Sequence, residues 1–474
     1  MIMKYLKLLY YALLTLVVSC PFSMVGQEAD TVFVDGLKYL AFRERHFARV
    51  IGYERGITKA EVPVAFYYNG YRYIVNMIEH SAFKDCTSLT SFKWERVDEC
   101  LMPGGEYSAS INWGAFQGCT ALMSVIINEN IGMSGTYMFK DCISLQSISI
   151  PSSRYPLNIG GHMFEGCVNL VAVDFGNHNF GSDASASYWV GPYAFAGCRN
   201  LKQISLRNLI RIESNAFDGC INLENVYDCD DVYQIDSCAF RNCKSLKLID
   251  LPAIETLWEN TFRNCTSLQV VNVGKEAIQI PYYSFINCPS LREINVAEGN
   301  PNFVTINGSL YSDGQLRIAL PKSMKRFYIA ENAVTAADWA FEGCDQLKFL
   351  YLPSSLHRFY GPLSNSVKTI VSDGGYYGVY WFATDFDRGE CSLYVPASSW
   401  KNYVNRSPWD AFKEIIPMRD ANGNGVIDID DITTIIEILL GVSDIEDYSS
   451  MLTGPDEVIT IDAVAEMIDL LLNQ

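Results

Sequence analysis

One apolar order recurs along most of this chain: a small or apolar residue, Phe, two variable positions, Cys, two more variable positions, Leu. It is plainest at Ala216 to Leu223 and at Ala239 to Leu246. After the leucine the pattern alternates, as in Leu145-x-x-Ile148-x-Ile150-Pro151, Leu201-x-x-Ile204-x-Leu206, Leu246-x-x-Ile249-x-Leu251-Pro252, Leu291-x-x-Ile294-x-Val296 and Leu347-x-x-Leu350-x-Leu352-Pro353. Alternation with a period of two predicts a short strand, and proline ends it in several copies.

Ten copies carry the cysteine: Cys86, Cys119, Cys142, Cys167, Cys198, Cys220, Cys243, Cys265, Cys288 and Cys344. Subtracting successive numbers gives steps of 33, 23, 25, 31, 22, 23, 22, 23 and 56. The basic period is therefore 22 or 23, and the longer steps hold insertions. A period of roughly 20 to 29 marks a leucine-rich-repeat solenoid. The fold expected is a β-rich, right-handed stack of coils over residues 75–417, in which the strands form a parallel sheet and the Phe and Leu side chains fill the interior as a column.

At 474 residues the chain exceeds the roughly 250 to 300 residues at which single cores stop growing, and an array resolves this. Apolar residues at 49% and charged residues at 19% describe a folded chain. The net charge of -18 argues against nucleic acid as a partner, because phosphate binding needs clustered Lys and Arg. From Met418 onward 13 carboxylates face Arg419 alone, so this tail holds -12 of the total and marks a domain boundary.

Lys4 and Lys7 precede the apolar run Leu8 to Val18, which has the order of a secretory signal and is too short to span a bilayer. Export is expected. Val17-Val18-Ser19-Cys20 resembles a bacterial lipobox, with Cys20 acylated as the mature N-terminus; the alternative is ordinary cleavage near Gly26-Gln27. A lipid anchor would be the chain's contact with a membrane, since no later stretch is long and apolar enough to cross one. Residues 28–74 read as a β-rich cap covering the first edge of the array, with a hairpin at Asn69-Gly70 between Tyr68 and Tyr71.

The 15 cysteines of an exported chain invite a disulfide reading. The ten in register would project parallel Cβ vectors, a poor fit to an S–S dihedral near 90°, and are expected as buried free thiols that donate weakly to loop carbonyls. Of the off-register Cys100, Cys229, Cys238 and Cys391, the pair Cys229 and Cys238 is the best disulfide candidate. Zinc is not expected: no Cys-x-x-Cys occurs, and His46, His80, His162, His178 and His357 are scattered.

The AFxxCxxLxxIxIP unit, the segment from Asn300-Pro301-Asn302-Phe303 through Gly308-Ser309-Leu310-Tyr311-Ser312, and the closing Leu393-Tyr394-Val395-Pro396 with Trp400 to Ile416 together resemble BspA-type leucine-rich-repeat surface proteins of the Bacteroides group. The chain departs from that pattern at Cys100 to Ile111, Asn177 to Tyr193 and Gly374 to Asp387. The resemblance implies adhesion to a host or bacterial surface protein or glycan.

Catalysis is not expected: no nucleophile elbow, His-Glu-x-x-His helix, P-loop or dinucleotide fingerprint occurs. Aromatic residues outside the register, Trp113, Tyr107, Tyr188-Trp189, Tyr376-Tyr377 and Tyr380-Trp381-Phe382, either pack the insertions or contact a ligand.

In the tail, Asp420, Asn422, Asn424, Asp428 and Asp431 fall at positions 1, 3, 5, 9 and 12 of a calcium loop, with Gly425 at the sharp turn and the Val426 carbonyl at position 7. Ile432, Ile435, Ile436, Leu439 and Leu440 then line one face of a helix. With Asp at position 12 and one following helix, residues 418–474 resemble a small all-α type I dockerin. A second copy, Leu452 to Ala463, has Leu452, Gly454 and Ala463 where ligands belong, so one Ca2+ is expected. The resemblance implies a cohesin as a possible partner, and hence an alternative role as a non-catalytic component of a polysaccharide-degrading assembly. Mass spectrometry of protein shaved from the cell surface is expected to find acyl-Cys20 as its first residue; a start near Gln27 would overturn the lipoprotein reading.

Overall fold

The computed structural model describes residues 29–94, 109–127, 131–133, 135–150, 159–175, 189–372, 379–380, 386–396, 400–404, 409–418 and 429–439. The chain divides into two compact units, Met1–Ala186 and Ser187–Gln474.

The first unit begins with β1 (Ala29–Val34), β2 (Leu37–Phe42), β3 (Phe47–Tyr53), β4 (Lys59–Val62), β5 (Ala65–Tyr68) and β6 (Tyr71–Ile78). Asp35-Gly36 joins β1 to β2 with φ of 50° and 78°, and Asn69-Gly70 joins β5 to β6 with φ of 51° and 80°. Both central residues need a left-handed backbone in such a turn, which Asx-Gly supplies. The Asn69-Gly70 hairpin is thus where the sequence places it. Parallel pairing starts at β3 with β6 and continues from β6 to Ala109–Ile111 and Ile131–Met133. A second parallel ladder runs from β4 through Ser91–Trp94 to Ser124–Ile127.

The second unit repeats this two-ladder coil. Short strands Trp189–Val190, Arg211–Ile212, Gln234–Ile235 and Thr256–Leu257 stack in parallel. The strands that follow each repeat leucine form separate pairings, Gln203–Ser205 with Asn225–Tyr227, and Leu248–Leu251 with Val270–Val273 and Glu293–Val296.

The 56-residue step is a coil in other clothing. Val304–Ile306, Ser309–Ser312 and Gln315–Ile318 form an antiparallel meander turned at Asn307-Gly308 and Asp313-Gly314, and then Gln315–Ile318 rejoins the parallel ladder against Thr335–Ala336. The Ala319 amide donates to the Ala340 carbonyl at 2.8 Å, as Phe217 does to Ala239 at 2.7 Å, so Ala319 occupies the Phe slot. Lys322 then occupies the cysteine slot, its Nζ 4.0 Å from Cys344 Sγ. A separate parallel ladder of longer strands runs through Arg326–Tyr328, Phe349–Leu352, Thr369–Ser372, Ser392–Pro396 and Glu414–Met418.

A column of stacked rings runs through each unit. In the first unit Tyr53 stacks on Phe83, and Phe83, Phe116, Phe139 and Phe164 follow with centroids 5.2–5.5 Å apart and planes within 8°. In the second, Phe195, Phe217, Phe240, Phe262 and Phe285 repeat the arrangement at 5.1–5.6 Å. The separation exceeds a face-to-face sandwich and gives the offset stacking that aromatic quadrupoles prefer.

Left-handed residues bend the chain around these columns. The residue before every repeat cysteine has positive φ, from 55° to 77°: Asp85, Gly118, Asp141, Gly166, Gly197, Gly219, Asn242, Asn264, Asn287 and Gly343. Only Gly, Asn and Asp visit this region at low cost, and only these three types occur there. The Asn copies add a side-chain ladder, with the Asn264 amide donating to Asn242 Oδ1 at 2.8 Å and Asn287 to Asn264 Oδ1 at 2.9 Å.

Among the described residues no helix is long and apolar enough to cross a membrane. In the tail the described element is the helix Ile429–Leu439, which includes Asp431 near its start and buries Ile432. Truncating Phe240 to Ala, which removes contact with two neighbouring rings, is expected to lower unfolding free energy by about 3–5 kcal/mol. Asn264→Gly keeps the left-handed backbone and should cost only about 1–2 kcal/mol through its two lost side-chain bonds, to Asn242 and from Asn287. Urea titration of both variants checks this; equal losses would show that the ring column is not the main stabiliser.

Candidate interaction surface

The interior chemistry is spent on structure. Seven of the ten register thiols donate to the phenylalanine carbonyl of the preceding coil: Cys119 to Phe83, Cys142 to Phe116, Cys167 to Phe139, Cys220 to Phe195, Cys243 to Phe217, Cys265 to Phe240 and Cys288 to Phe262, all at 3.0–3.2 Å. That same carbonyl accepts the amide of its own coil's cysteine, as Cys243 N–H does to Phe240 at 3.2 Å. Both lone pairs of a buried carbonyl are thereby satisfied. Cys86, in the first register coil, instead lies 3.9 Å from Ser88 Oγ. Cys344, one coil past Lys322, points to the Ala319 carbonyl at 3.8 Å.

Every described cysteine is a free thiol. This corrects the Cys229–Cys238 pairing: both are free thiols, Cys229 buried ahead of the short strand Gln234–Ile235 and Cys238 half-buried in the turn beyond it. Cys391 is buried. Cys20 and Cys100 lie outside the described residues, as do Asp420, Asn422, Asn424, Val426 and Asp428.

Burial pushes the thiols up, to about 12 for Cys119 and for Cys288 and well above the ordinary thiol value for Cys142, Cys243 and Cys265. A nucleophile or metal ligand needs the thiolate, so the column is chemically inert near neutrality.

Outward-facing variety is concentrated in the turn between each short strand and the next Phe. Five residues before the cysteine, nine of the ten coils again have positive φ, from 56° to 66°, but here the occupants are Ser81, Gly114, Tyr137, His162, Tyr193, Asn215, Cys238, Asn260 and Trp339. A left-handed Tyr, His or Trp costs about 1–2 kcal/mol. Large side chains at such a position signal a use for the turn, since strained backbone gathers at functional sites.

Rings do gather there. In the first unit His80 stacks on Trp113 at 4.7 Å and Tyr137 on His162 at 4.5 Å. His162 Nδ1 lies 2.7 Å from Glu165, which also pairs with Lys140. Burial alone would push the Glu165 carboxyl up, but hydrogen bonds from Lys140 and His162 outweigh it and hold the group below its ordinary value. In the second unit Tyr193, Trp258, Tyr283, Trp339 and Tyr360 lie 38–45% exposed, and Tyr282 stacks near Trp339 at 6.4 Å. Of the aromatics expected from sequence, Trp113 belongs to this set, and Trp189 is half-buried in the strand Trp189–Val190. Tyr380 lies in the strand Val379–Tyr380, while Tyr107, Tyr188, Tyr376, Tyr377, Trp381 and Phe382 fall outside the described residues.

Stacked parallel coils of 22 or 23 residues with a Phe–Cys–Leu interior define a leucine-rich-repeat solenoid. The chain belongs to the BspA type leucine rich repeat family, whose repeat pattern matches residues 71–185 and 189–317, just over half of the 474. No curated protein matches the sequence. Among solved structures it is similar to a leucine-rich repeat protein from Bacteroides ovatus, with 21% identity over 72% of this chain and 94% of that one and a TM-score of 0.46. It is also similar to a leucine rich cell surface protein from Faecalibacterium prausnitzii, with 15% identity over 83% and 96% and a TM-score of 0.34. Family membership fits a non-catalytic binding protein.

The raised thiols carry a pH prediction. Unfolded cysteines titrate near 8.5, and the folded ones titrate higher, so their contribution to stability is complete below about pH 8.5 and is lost as pH rises toward 12. The urea midpoint is expected to fall steadily between pH 8 and 11. At pH 8, iodoacetamide should label half-buried Cys238 before any register cysteine, and mass spectrometry reads the order; prompt labelling of Cys243 or Cys265 would contradict the buried column.

Proposed function

We propose that this chain is an exported surface protein, anchored through acylated Cys20, that binds a host or bacterial surface protein or glycan without catalysis. The single observation that supports it best is the turn edge of each unit, where exposed rings gather, His80 and Trp113 in the first and Trp258, Tyr283 and Tyr360 in the second, the latter together with the exposed and left-handed Tyr193 and Trp339. Aromatic faces offer large contact area at low conformational cost and recur in recognition surfaces. The tail, with ligands for one Ca2+ at Asp420, Asn422, Asn424, Val426, Asp428 and Asp431, acts as a calcium-stabilised docking module. Its loop spacing also favours a second reading, a non-catalytic component of a polysaccharide-degrading assembly held through a cohesin.

Pull-downs with the full chain against extracellular-matrix proteins and immobilised glycans test both. For the main reading, at least one ligand is expected to be retained by the unaltered protein and lost, tenfold or more, with Trp258→Ala and Trp339→Ala combined. Retention by that variant removes the turn edge from the binding role. Chelation of calcium should release only partners of the tail; if EDTA changes no partner, the docking role fails.

A further inference from the structure

One departure from the repeat places an amine where ten other coils carry a thiol. Lys322 holds the cysteine slot of the coil built on the meander, and its backbone N–H donates to the Leu291 carbonyl at 2.9 Å. Its side chain turns into the column instead of out to water: Lys322 is 5% exposed, and Cys344 on the next coil is 1% exposed. Nζ lies 4.0 Å from Cys344 Sγ, and among the described residues that sulfur is the one hydrogen-bond partner of the amine. A lysine head group brings up to three donors, and one weak sulfur acceptor leaves it poorly satisfied. A buried polar group in that position calls for a use, and a redox role is one of the few available.

The sulfur is equally unengaged. Its neighbours in the column sit 3.0–3.2 Å from a carbonyl, whereas Cys344 Sγ is 3.8 Å from the Ala319 oxygen. Cys288, on the other side of Lys322, keeps its bond to the Phe262 carbonyl at 3.1 Å. Burial raises the Cys344 thiol, and the charge of Lys322 pulls it back toward the thiolate. Cys344 is therefore the exception in an otherwise inert column, a sulfur held against a nucleophilic nitrogen with both shut away from competing partners.

We propose that Lys322 and Cys344 form a reversible covalent cross-link, a sulfenamide joining Nζ to Sγ, when hydrogen peroxide oxidises the thiol. In the first step the sulfur attacks peroxide, the O–O bond breaks, and the thiol becomes a sulfenic acid with release of water; sulfur gives up two electrons and peroxide takes them. Sulfenic acids condense with a thiol or with a nitrogen. In the second step the uncharged amine attacks sulfur, the S–O bond breaks, and the departing hydroxyl leaves as water with the proton that nitrogen releases. Peroxide is close to water in size, and local opening of a coil admits it. The bond ties the coil that follows the meander to the next one, at the point where the thiol's own contact with its carbonyl is long.

The test treats the folded full chain with hydrogen peroxide and reads intact mass and tryptic peptides. The expected product is lighter by two hydrogens, resists trypsin at Lys322 and yields a cross-linked peptide pair carrying Lys322 and Cys344. Dithiothreitol should restore the original mass, and the cross-linked chain should unfold at a higher urea concentration than the reduced one. Lys322→Met and Cys344→Ser should each abolish the cross-linked pair. An unchanged mass, a loss of hydrogens that maps to cysteine pairs alone, or oxygen retained on Cys344 with Lys322 still cut by trypsin overturns the proposal. Peptide mapping of the unaltered chain decides the matter even where a variant folds poorly, and none of these readouts depends on what the outer surface binds.

Discussion

The structure depends on the hydrogen bond from one coil's thiol to the preceding coil's phenylalanine carbonyl. Bending the chain at Phe-x-x-Cys leaves a carbonyl in the dry interior that strand ladders cannot reach; the cysteine amide of its own coil takes one lone pair and the next coil's thiol takes the other. Cysteine is small enough to sit under the ring column and still donates a proton. Serine would fit, but its hydroxyl lone pairs would call for donors in an apolar interior, and alanine would leave the carbonyl half-satisfied. The pairing at 3.0–3.2 Å in successive coils locks the register in which Phe stacks on Phe. Hydrophobic burial supplies most of the stability, and the thiol specifies which burial occurs.

Much of this was legible in the residues. The period, the Phe and Leu columns, the short strands ended by proline and the Asn69-Gly70 hairpin all follow from local patterns. A further signal was present and passed over. The residue before each cysteine is Asp, Gly, Asp, Gly, Gly, Gly, Asn, Asn, Asn and Gly in chain order, a restriction that only a left-handed backbone explains. Reading it would have placed the tight turn of every coil.

What stayed hidden is non-local. Lys322 bears no resemblance to cysteine, and only the bond from Ala319 to Ala340 shows that its coil fills the same slot. Its amine stands buried beside Cys344, where the thiol's own bond to Ala319 lengthens to 3.8 Å, so one departure in the repeat weakens the next coil's contact. Likewise Cys229 and Cys238 are nine residues apart and invite pairing, yet the coil sends them to opposite ends of a strand.

Where function can reside follows from these constraints. The interior positions answer to neighbours above and below, so a change there propagates along the stack. The residue before the cysteine is limited to three types by its backbone. The turn five residues before the cysteine shares that left-handed backbone and yet accepts Tyr, His and Trp, which means its conformation is enforced by the ladders on either side rather than by its own preference. A position whose shape is supplied by its neighbours is free to vary in chemistry, and a stack of such positions presents a rigid edge on which side chains can change without disturbing the coil.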